Sequence, residues 1–169
     1  NDLINANPRF ERVDLEDAPE LSYIVSTCEK ISGLYRCNFS RTKEAAEVTP
    51  IVIRHMEEMA KALQVPLNKC GYRSDQGKEF SMKEIKKVVD EKNAKHVAMG
   101  ASVERRNQQV QANLFRILRS RKSYTLPNAL KQTQKLMNNT FSKIHKKTPN
   151  EMVAEGKQEE NRKTFNKSR

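Results

Sequence analysis

The hydrophobic pattern of the chain changes its period after about forty residues, and this change constrains the fold more than any other feature. Residues 10–17 alternate apolar and polar side chains, and residues 22–31 and 34–40 are rich in β-forming residues on either side of Ser32-Gly33. These patterns predict a strand followed by a two-stranded hairpin. From Ala45 onward, apolar residues recur at every third or fourth position, which predicts a helix to about Leu63.

The later segments alternate strands with helices. Further strands are predicted at 66–74 and 95–100, and further helices at 81–94, at 102–122, from Pro127 onward and in a short turn at 148–153. The helix from Pro127 is expected to face the core with one row of residues: Leu130, Thr133, Met137, Phe141 and Ile144. Strands first and βα alternation second indicate an α/β protein with a mixed sheet covered by helices.

Two helix starts carry local signals. Ser81, with Glu84 three residues later, fits a capping box. Thr49-Pro50 fits either a cap with the first helical position or a kink within the helix, and the pattern alone leaves both open.

The charge of the chain points to a polyanionic partner. The formal net charge is +11, and every charged residue between Arg105 and Asn150 is basic. A solvated basic face is the alternative, but such a one-sided charge is unfavourable without a partner, so nucleic acid is the better interpretation. No apolar run approaches the roughly 18 residues that a membrane helix needs, and we expect no membrane partner.

The cysteines and histidines do not form a metal-binding pattern. Cys28, Cys37 and Cys70 are odd in number and widely spaced, so we expect buried free thiols in strands and a reducing compartment. The three histidines, His55, His96 and His145, are scattered, and we expect structural or surface roles for them.

Three acidic residues lie where the predicted elements change. Asp14 is inside the first strand, Asp75 follows a strand and precedes Gly77, and Glu104 is near the start of the basic helix. Each acid alone is more often a solvated surface residue. Together they match the carboxylates with which two divalent cations are held for displacement at phosphorus.

The helix that carries Glu104 also carries groups suited to DNA. Helical spacing places Asn107, Gln108 and Gln111 on the same side as Glu104, with Arg105 and Arg106 beside them. This helix is therefore expected to present both a metal ligand and DNA-contacting groups to one groove.

At these residues the sequence resembles the catalytic core of retroviral and transposon-type integrases, the D,D-35-E group. Over about residues 10–153, five segments resemble motifs of that group in the same order: "VDLED", "YIVSTCEKISGLYRCNFSRT", "RSDQGKEF", "SVERRNQQVQ" and "HKKTPNEMV". The extended "VDLED" start is more similar to integrases of large eukaryotic DNA transposons and their relatives than to those of retroviruses.

The resemblance implies an RNase H-like mixed five-stranded sheet flanked by helices. It implies a two-metal site for Mg²⁺ or Mn²⁺ held by Asp14, Asp75 and Glu104, which would cleave DNA 3′ ends and join them to target DNA. It also implies a homodimer or higher oligomer, and we expect a nuclear or other intracellular nucleoprotein complex. The domain prediction is an extension at 1–9, an integrase-type core at 10–155 and a polar tail at 156–169.

The sequence departs from the integrase pattern in ways that leave alternatives open. Asp75 and Glu104 are only 29 residues apart, and the shortening falls around "AMGAS", where the family has a mobile loop. Gln76 and Gln111 stand where Asn and a DNA-contacting Lys are usual. One alternative is an integrase-derived protein without strand transfer that binds nucleic acid or acts as a scaffold subunit. Another is an RNase H-like nuclease that cuts without joining.

Overall fold

A computed structural model describes residues 23–74, 77–96, 101–120, 125–156, 163, 166 and 167, without the side chains of 101–104. Four strands occur in this part of the chain: β1 (Tyr23–Cys28), β2 (Tyr35–Ser40), β3 (Tyr72–Ser74) and β4 (Ala94–His96). The α-helices are α1 (Ala45–Ala62), α2 (Met82–Ile85), α3 (Ala101–Ser120), α4 (Leu126–Asn138) and α5 (Pro149–Glu155). Short 3-10 turns lie at Leu67–Lys69 and Glu91–Asn93.

The predicted hairpin is confirmed. β1 and β2 are antiparallel, with Tyr23 opposite Ser40 and Cys28 opposite Tyr35. The connecting turn is organised by Glu29, whose carboxylate accepts hydrogen bonds from the backbone N–H groups of Ile31 and Ser32. Gly33 adopts a φ of 75° in this turn, a conformation that residues with a Cβ rarely adopt.

The two faces of the hairpin bury different sets of helices. On one face, Tyr35 and Cys37 pack with α3 and α4 residues such as Leu114 and Leu130. On the other face, Val25 packs with α1 residues such as Val52. Because successive side chains of a strand point to opposite faces, the hairpin is the middle layer between α1 and the α3–α4 pair.

Helix α1 matches its predicted range, and the position of Pro50 is resolved. Pro50 lies inside the helix rather than at its first position. Its missing N–H removes one helical hydrogen bond close to the amino end of α1. Thr49 is buried and is not the cap of this helix.

The predicted single five-stranded sheet is not what the described residues form. They form two separate pairs, antiparallel β1–β2 and parallel β3–β4. The predicted first strand, 10–17, lies outside the described residues. β3 is also shorter than the predicted 66–74 strand, since a 3-10 turn occupies Leu67–Lys69. β4 covers Ala94–His96 and pairs with β3 over these residues, while 97–100 of the predicted 95–100 strand lie outside the described residues.

Helix α2 is much shorter than the predicted 81–94 helix. It spans only Met82–Ile85, and Ser81 makes no side-chain capping bond, so the predicted capping box is wrong. Asp90 interrupts the pattern, because its carboxylate accepts from the N–H of Lys92 and starts the 3-10 turn Glu91–Asn93. Its own N–H donates to the carbonyl of Cys70. These bonds replace helical ones.

The end of α4 corrects the predicted apolar row. The helix ends at Asn138, so Leu130, Thr133 and Met137 are buried, whereas Phe141 and Ile144 lie beyond it and are exposed. A bridge between Ser142 and Lys147 closes the turn that follows. Helix α5 then begins with a complete capping box formed by Thr148 and Glu151.

Helix α4 also covers the outer edge of β2. Asn138 accepts a hydrogen bond from the N–H of Tyr35 at 2.7 Å and donates to its carbonyl at 2.9 Å. Gln134 accepts from the N–H of Cys37 at 2.9 Å. These amides take the place of a neighbouring strand on an edge that would otherwise be open to pairing.

The cysteine prediction holds only in part. All three thiols are free, and Cys37 is buried in β2, but Cys28 is exposed and Cys70 lies half-buried outside the strands. The helices within the described ranges include none that is both long and apolar enough to cross a membrane.

Candidate metal and DNA site

The proposed metal ligands lie at the borders of the described structure. Asp14 and Asp75 are outside the described residues. Glu104 is in the first turns of α3, and only its backbone is described. Among the side chains that the structure does describe, no three His, Cys, Asp or Glu residues gather as a metal site. The triad therefore stays a prediction.

In the parallel pair β3–β4, the strand end that precedes Asp75 lies beside the strand end from which the chain continues towards Glu104. Ser74 ends β3 and His96 ends β4, and the two residues are register partners. The Ser74 hydroxyl lies 3.1 Å from Nδ1 of His96. Asp75 is the next residue after Ser74 in sequence. Functional groups in α/β proteins commonly lie beyond the carboxyl ends of parallel strands.

The last residues of "SDQGKEF" and the following Ser81 contact α1. The hydroxyl of Thr49 accepts from the N–H of Ser81 at 2.9 Å and donates to the carbonyl of Glu79 at 3.3 Å. Phe80 packs against the apolar cluster that contains Val52. Gly77 is not in a left-handed conformation. A buried threonine in the first turns of α1 thus fixes the segment that follows Asp75.

The polar residues of α3 divide between the hairpin and solvent. Asn107 is half-buried, and its carbonyl oxygen lies 3.5 Å from the Ser26 hydroxyl of β1. Gln108 is exposed and Gln111 is half-buried. The predicted common face therefore holds only in part, because Asn107 turns towards the hairpin. This contact places the amino-terminal half of α3 beside β1.

The two arginines after Glu104 have different surroundings. Arg105 is exposed. Arg106 is half-buried, and its guanidinium covers Gly33, where an added Cβ would lie 2.5 Å from Nη2. Arg105 is free to meet a ligand from solvent, whereas Arg106 also has a packing role on the hairpin turn.

His55 has the structural role expected for it. It is buried between α1 and the hairpin, with Nδ1 3.0 Å from the Thr27 hydroxyl and Nε2 2.7 Å from the Asn38 side-chain oxygen. Burial, followed by repulsion from Arg54 and Arg36, lowers the pKa of His55 to about 4. The ring is therefore neutral at pH 7, with both nitrogens occupied. His96 is exposed.

The contacts that several residues make around the site were not predicted from the sequence. Period-two alternation places Ser26 on the same face of β1 as Cys28, but it does not identify Asn107 as the partner of Ser26. Thr49 and Ser74 act through contacts with distant segments, and nothing in their local sequence signals those contacts.

Solved structures of retroviral integrase catalytic cores share this fold. The integrase catalytic core domain of HTLV-2, in its trimeric form with magnesium, has a TM-score of 0.55 and 19% identity, covering 73% of this chain and 79% of that chain. The catalytic core domain of BIV integrase has a TM-score of 0.59 and 18% identity, covering 81% of this chain and 88% of that chain. The chain therefore has the fold of an integrase catalytic core, as the sequence resemblance implied.

No protein-family model matches the sequence, and no curated protein matches it.

Proposed function

We propose that this chain is an integrase-type catalytic core that cleaves DNA ends and joins them to target DNA. The observation that carries the proposal is the integrase-core fold, found in a chain that has the integrase-like motifs in the same order. In the proposed reaction, water attacks a phosphodiester near the element end and leaves a 3′-hydroxyl. That hydroxyl then attacks a phosphodiester of the target DNA, whose own 3′ oxygen leaves.

The proposed ligands suit a hard divalent cation. Asp14, Asp75 and Glu104 would supply carboxylate oxygens to Mg²⁺ or Mn²⁺, which prefer such donors. The adjacency of Ser74 and His96 supports this set, because Asp75 follows one strand end and the chain leading to Glu104 follows the other. Bound cations would stabilise the charge on the attacking and leaving oxygens.

The start of α3 would position the DNA. Arg105 and Gln108 are exposed and would contact phosphates or base edges, and Gln111 would contact them from a half-buried position. Asn107 would orient the substrate while it keeps α3 against β1 through Ser26. Arg106 would add positive charge from its place on the Gly33 turn.

Self-association is part of the proposal. The HTLV-2 core domain was solved in trimeric and in dimeric forms. We expect this chain to act as a homodimer or higher oligomer, because strand transfer joins two DNA ends to one target.

The test uses a branched DNA that mimics the joined product, so that no particular end sequence is needed. Resolution of this branch should require Mg²⁺ or Mn²⁺. It should fall at least a hundredfold in Asp75→Asn and in Glu104→Gln, as removal of a charged group that stabilises the transition state typically costs. Glu84→Gln, an exposed acid in α2, is the matched control and should keep full activity. Full activity of Glu104→Gln would refute the ligand assignment.

The short connection between β4 and α3 is the reason to test two alternative functions. Only residues 97–100 join His96 to Ala101, in the region where integrases have a mobile loop. An integrase-derived nucleic-acid-binding or scaffold subunit would bind duplex DNA without resolving the branch under any metal. A nuclease that only cuts would nick plasmid DNA but leave the branch unresolved.

A further inference from the structure

An exposed surface at the end of α4 combines apolar and basic side chains. Phe141 is 57% exposed, Ile144 47% and Leu136 41%. Lys135, Lys143 and Lys146 are exposed beside them in sequence. We call these six residues the Phe141 surface. Single exposed apolar side chains are common, but three within nine positions of the chain indicate an interaction site.

Backbone contacts hold the Phe141 surface together. The hydroxyl of Thr140 donates to the carbonyl of Leu136, which ties the residue before Phe141 to the last turn of α4. The N–H of Ser142 donates to the carbonyl of Lys147, and the N–H of Lys146 donates to the carbonyl of Ser142. The turn that carries Lys143 and Ile144 is therefore closed directly beside Phe141.

The charge of this surface is not neutralised by the described residues. Lys135, Lys143 and Lys146 form no ion pair with any of them. The two acids that follow in α5 are already engaged, since Glu155 pairs with Lys147 and Glu151 caps the helix. A partner that offers both anionic groups and apolar surface would pair with these lysines while it covers the exposed apolar side chains.

We propose that the Phe141 surface binds single-stranded nucleic acid, with a base stacked on Phe141 and phosphates against Lys143 and Lys146. Single strands expose base faces that stack on aromatic side chains, whereas a duplex keeps those faces inside and offers chiefly phosphates. Lysines beside the stacked base would neutralise the backbone. This inference does not rest on the proposed catalytic function, and none of the proposed metal ligands belongs to this surface.

The experiment measures binding of fluorescent oligo-dT to the full chain in EDTA, so that no metal chemistry contributes. Phe141→Ala should weaken binding roughly 5- to 150-fold, the range expected for one stacked base. Phe141→Leu, which stays apolar but cannot stack, should lose nearly as much. The matched control is Val65→Ala, which changes another exposed apolar residue, in the turn after α1, and should have no effect.

The salt dependence tests the lysines separately. The pair Lys143→Gln and Lys146→Gln should reduce the slope of log K against log salt by about 1.4, because each phosphate of a single strand that a lysine neutralises contributes roughly 0.7. Lys83→Gln with Lys87→Gln, two exposed lysines in and after α2, is the charge-matched control. It should change the slope by less than the test pair.

Three results would overturn the proposal: unchanged oligo-dT binding in Phe141→Ala, an equal loss of duplex binding in that variant, or Phe141-dependent binding of an acidic peptide in place of oligo-dT. Because branch resolution is assayed separately and needs metal, failure of this proposal leaves the catalytic one standing. Failure of the catalytic one likewise leaves this binding measurable.

Discussion

Replacing Asn138 with alanine should destabilise the protein far more than its single polar side chain suggests. Asn138 is 4% exposed and satisfies both backbone groups of Tyr35, itself 1% exposed, on the outer edge of β2. Alanine would leave the buried N–H of Tyr35 without a partner, whereas the carbonyl of Tyr35 would keep the hydrogen bond that it accepts from the Arg36 guanidinium at 3.1 Å. An unpaired buried group costs about 1–3 kcal/mol and a lost hydrogen bond about 1 kcal/mol, so the free energy of unfolding should fall by roughly 2–4 kcal/mol.

Urea unfolding, followed by circular dichroism, measures this change through the midpoint and slope of the transition. A loss of about 3 kcal/mol corresponds to a fall in Tm of roughly 6–12 °C for a chain of this size. Asn138→Asp should lose at least as much, because it keeps the acceptor for the N–H of Tyr35 but places a second carboxylate oxygen against the carbonyl. The open edge should also increase aggregation, which light scattering detects.

Asn139 provides the matched control for this prediction. It is the next residue, is exposed, and bonds only to groups that water also reaches. Asn139→Ala should therefore cost less than about 1 kcal/mol. If Asn138→Ala costs no more than Asn139→Ala, the edge-covering role assigned to Asn138 is wrong.

Three further predictions concern residues around the site. The folded pKa of His55 is lowered from 6.5 to about 4, so its contribution to the free energy of unfolding is present above pH 6.5 and is lost as the pH falls towards 4. His55→Gln should therefore flatten the dependence of that free energy on pH, by up to roughly 3 kcal/mol. Urea unfolding at several pH values measures this. Gly33→Ala should cost about 1–3 kcal/mol, since φ is 75° and Arg106 occupies the Cβ position; thermal melts measure it. Thr49→Val removes two hydrogen bonds, so it should cost about 1–3 kcal/mol and raise proteolysis of the turn before α2.

An unchanged pH slope in His55→Gln would contradict the role of that histidine, and the other two variants have matched controls in the chain. Gly156 has a φ of 64° but nothing within 4 Å of its Cβ position, so Gly156→Ala should cost less than Gly33→Ala. A Thr49→Ser variant keeps the hydroxyl and should resist proteolysis better than Thr49→Val. Equal behaviour of test and control in any pair would contradict the corresponding contact.

Periodicity predicted the elements whose faces are buried along their whole length. The hairpin, α1 and α3 occur close to their expected ranges, because period-two and period-3.6 patterns directly record which side chains meet the core. Single polar residues stand at two places where the prediction failed. Within the predicted 81–94 helix, α2 ends at Ile85 and Asp90 later starts a 3-10 turn, and Asn138 bonds to Tyr35 at the point where α4 ends. Hydrogen bonds of single polar residues do not change the hydrophobic period of the sequence, so periodicity does not predict them.

The candidate site is predicted from motifs rather than from hydrophobic periodicity, and it stays a prediction. The order of the acidic motifs indicates an integrase core, and the fold agrees with that resemblance. The supporting contacts of Thr49, Ser74 and Asn107 were not predictable in the same way. They depend on which segments the fold brings together, and that information lies in the tertiary structure.

We predict that the 29-residue spacing between Asp75 and Glu104 allows a complete site, and lengthening the connection tests this prediction. From His96 to Ala101 the chain can span at most about 18 Å, at roughly 3.3–3.6 Å per residue, so α3 begins within that distance of the end of β4. Six Gly/Ser residues inserted after Gly100 would restore the spacing of about 35 that the family name denotes, at a loop-closure cost of roughly 1 kcal/mol. If the short connection already allows a site, calorimetric Mn²⁺ affinity should stay within about twofold of the parent chain. A gain of tenfold or more, abolished by Glu104→Gln, would instead mean that the short connection holds Glu104 away from Asp75, and would favour an integrase-derived protein that has lost strand transfer.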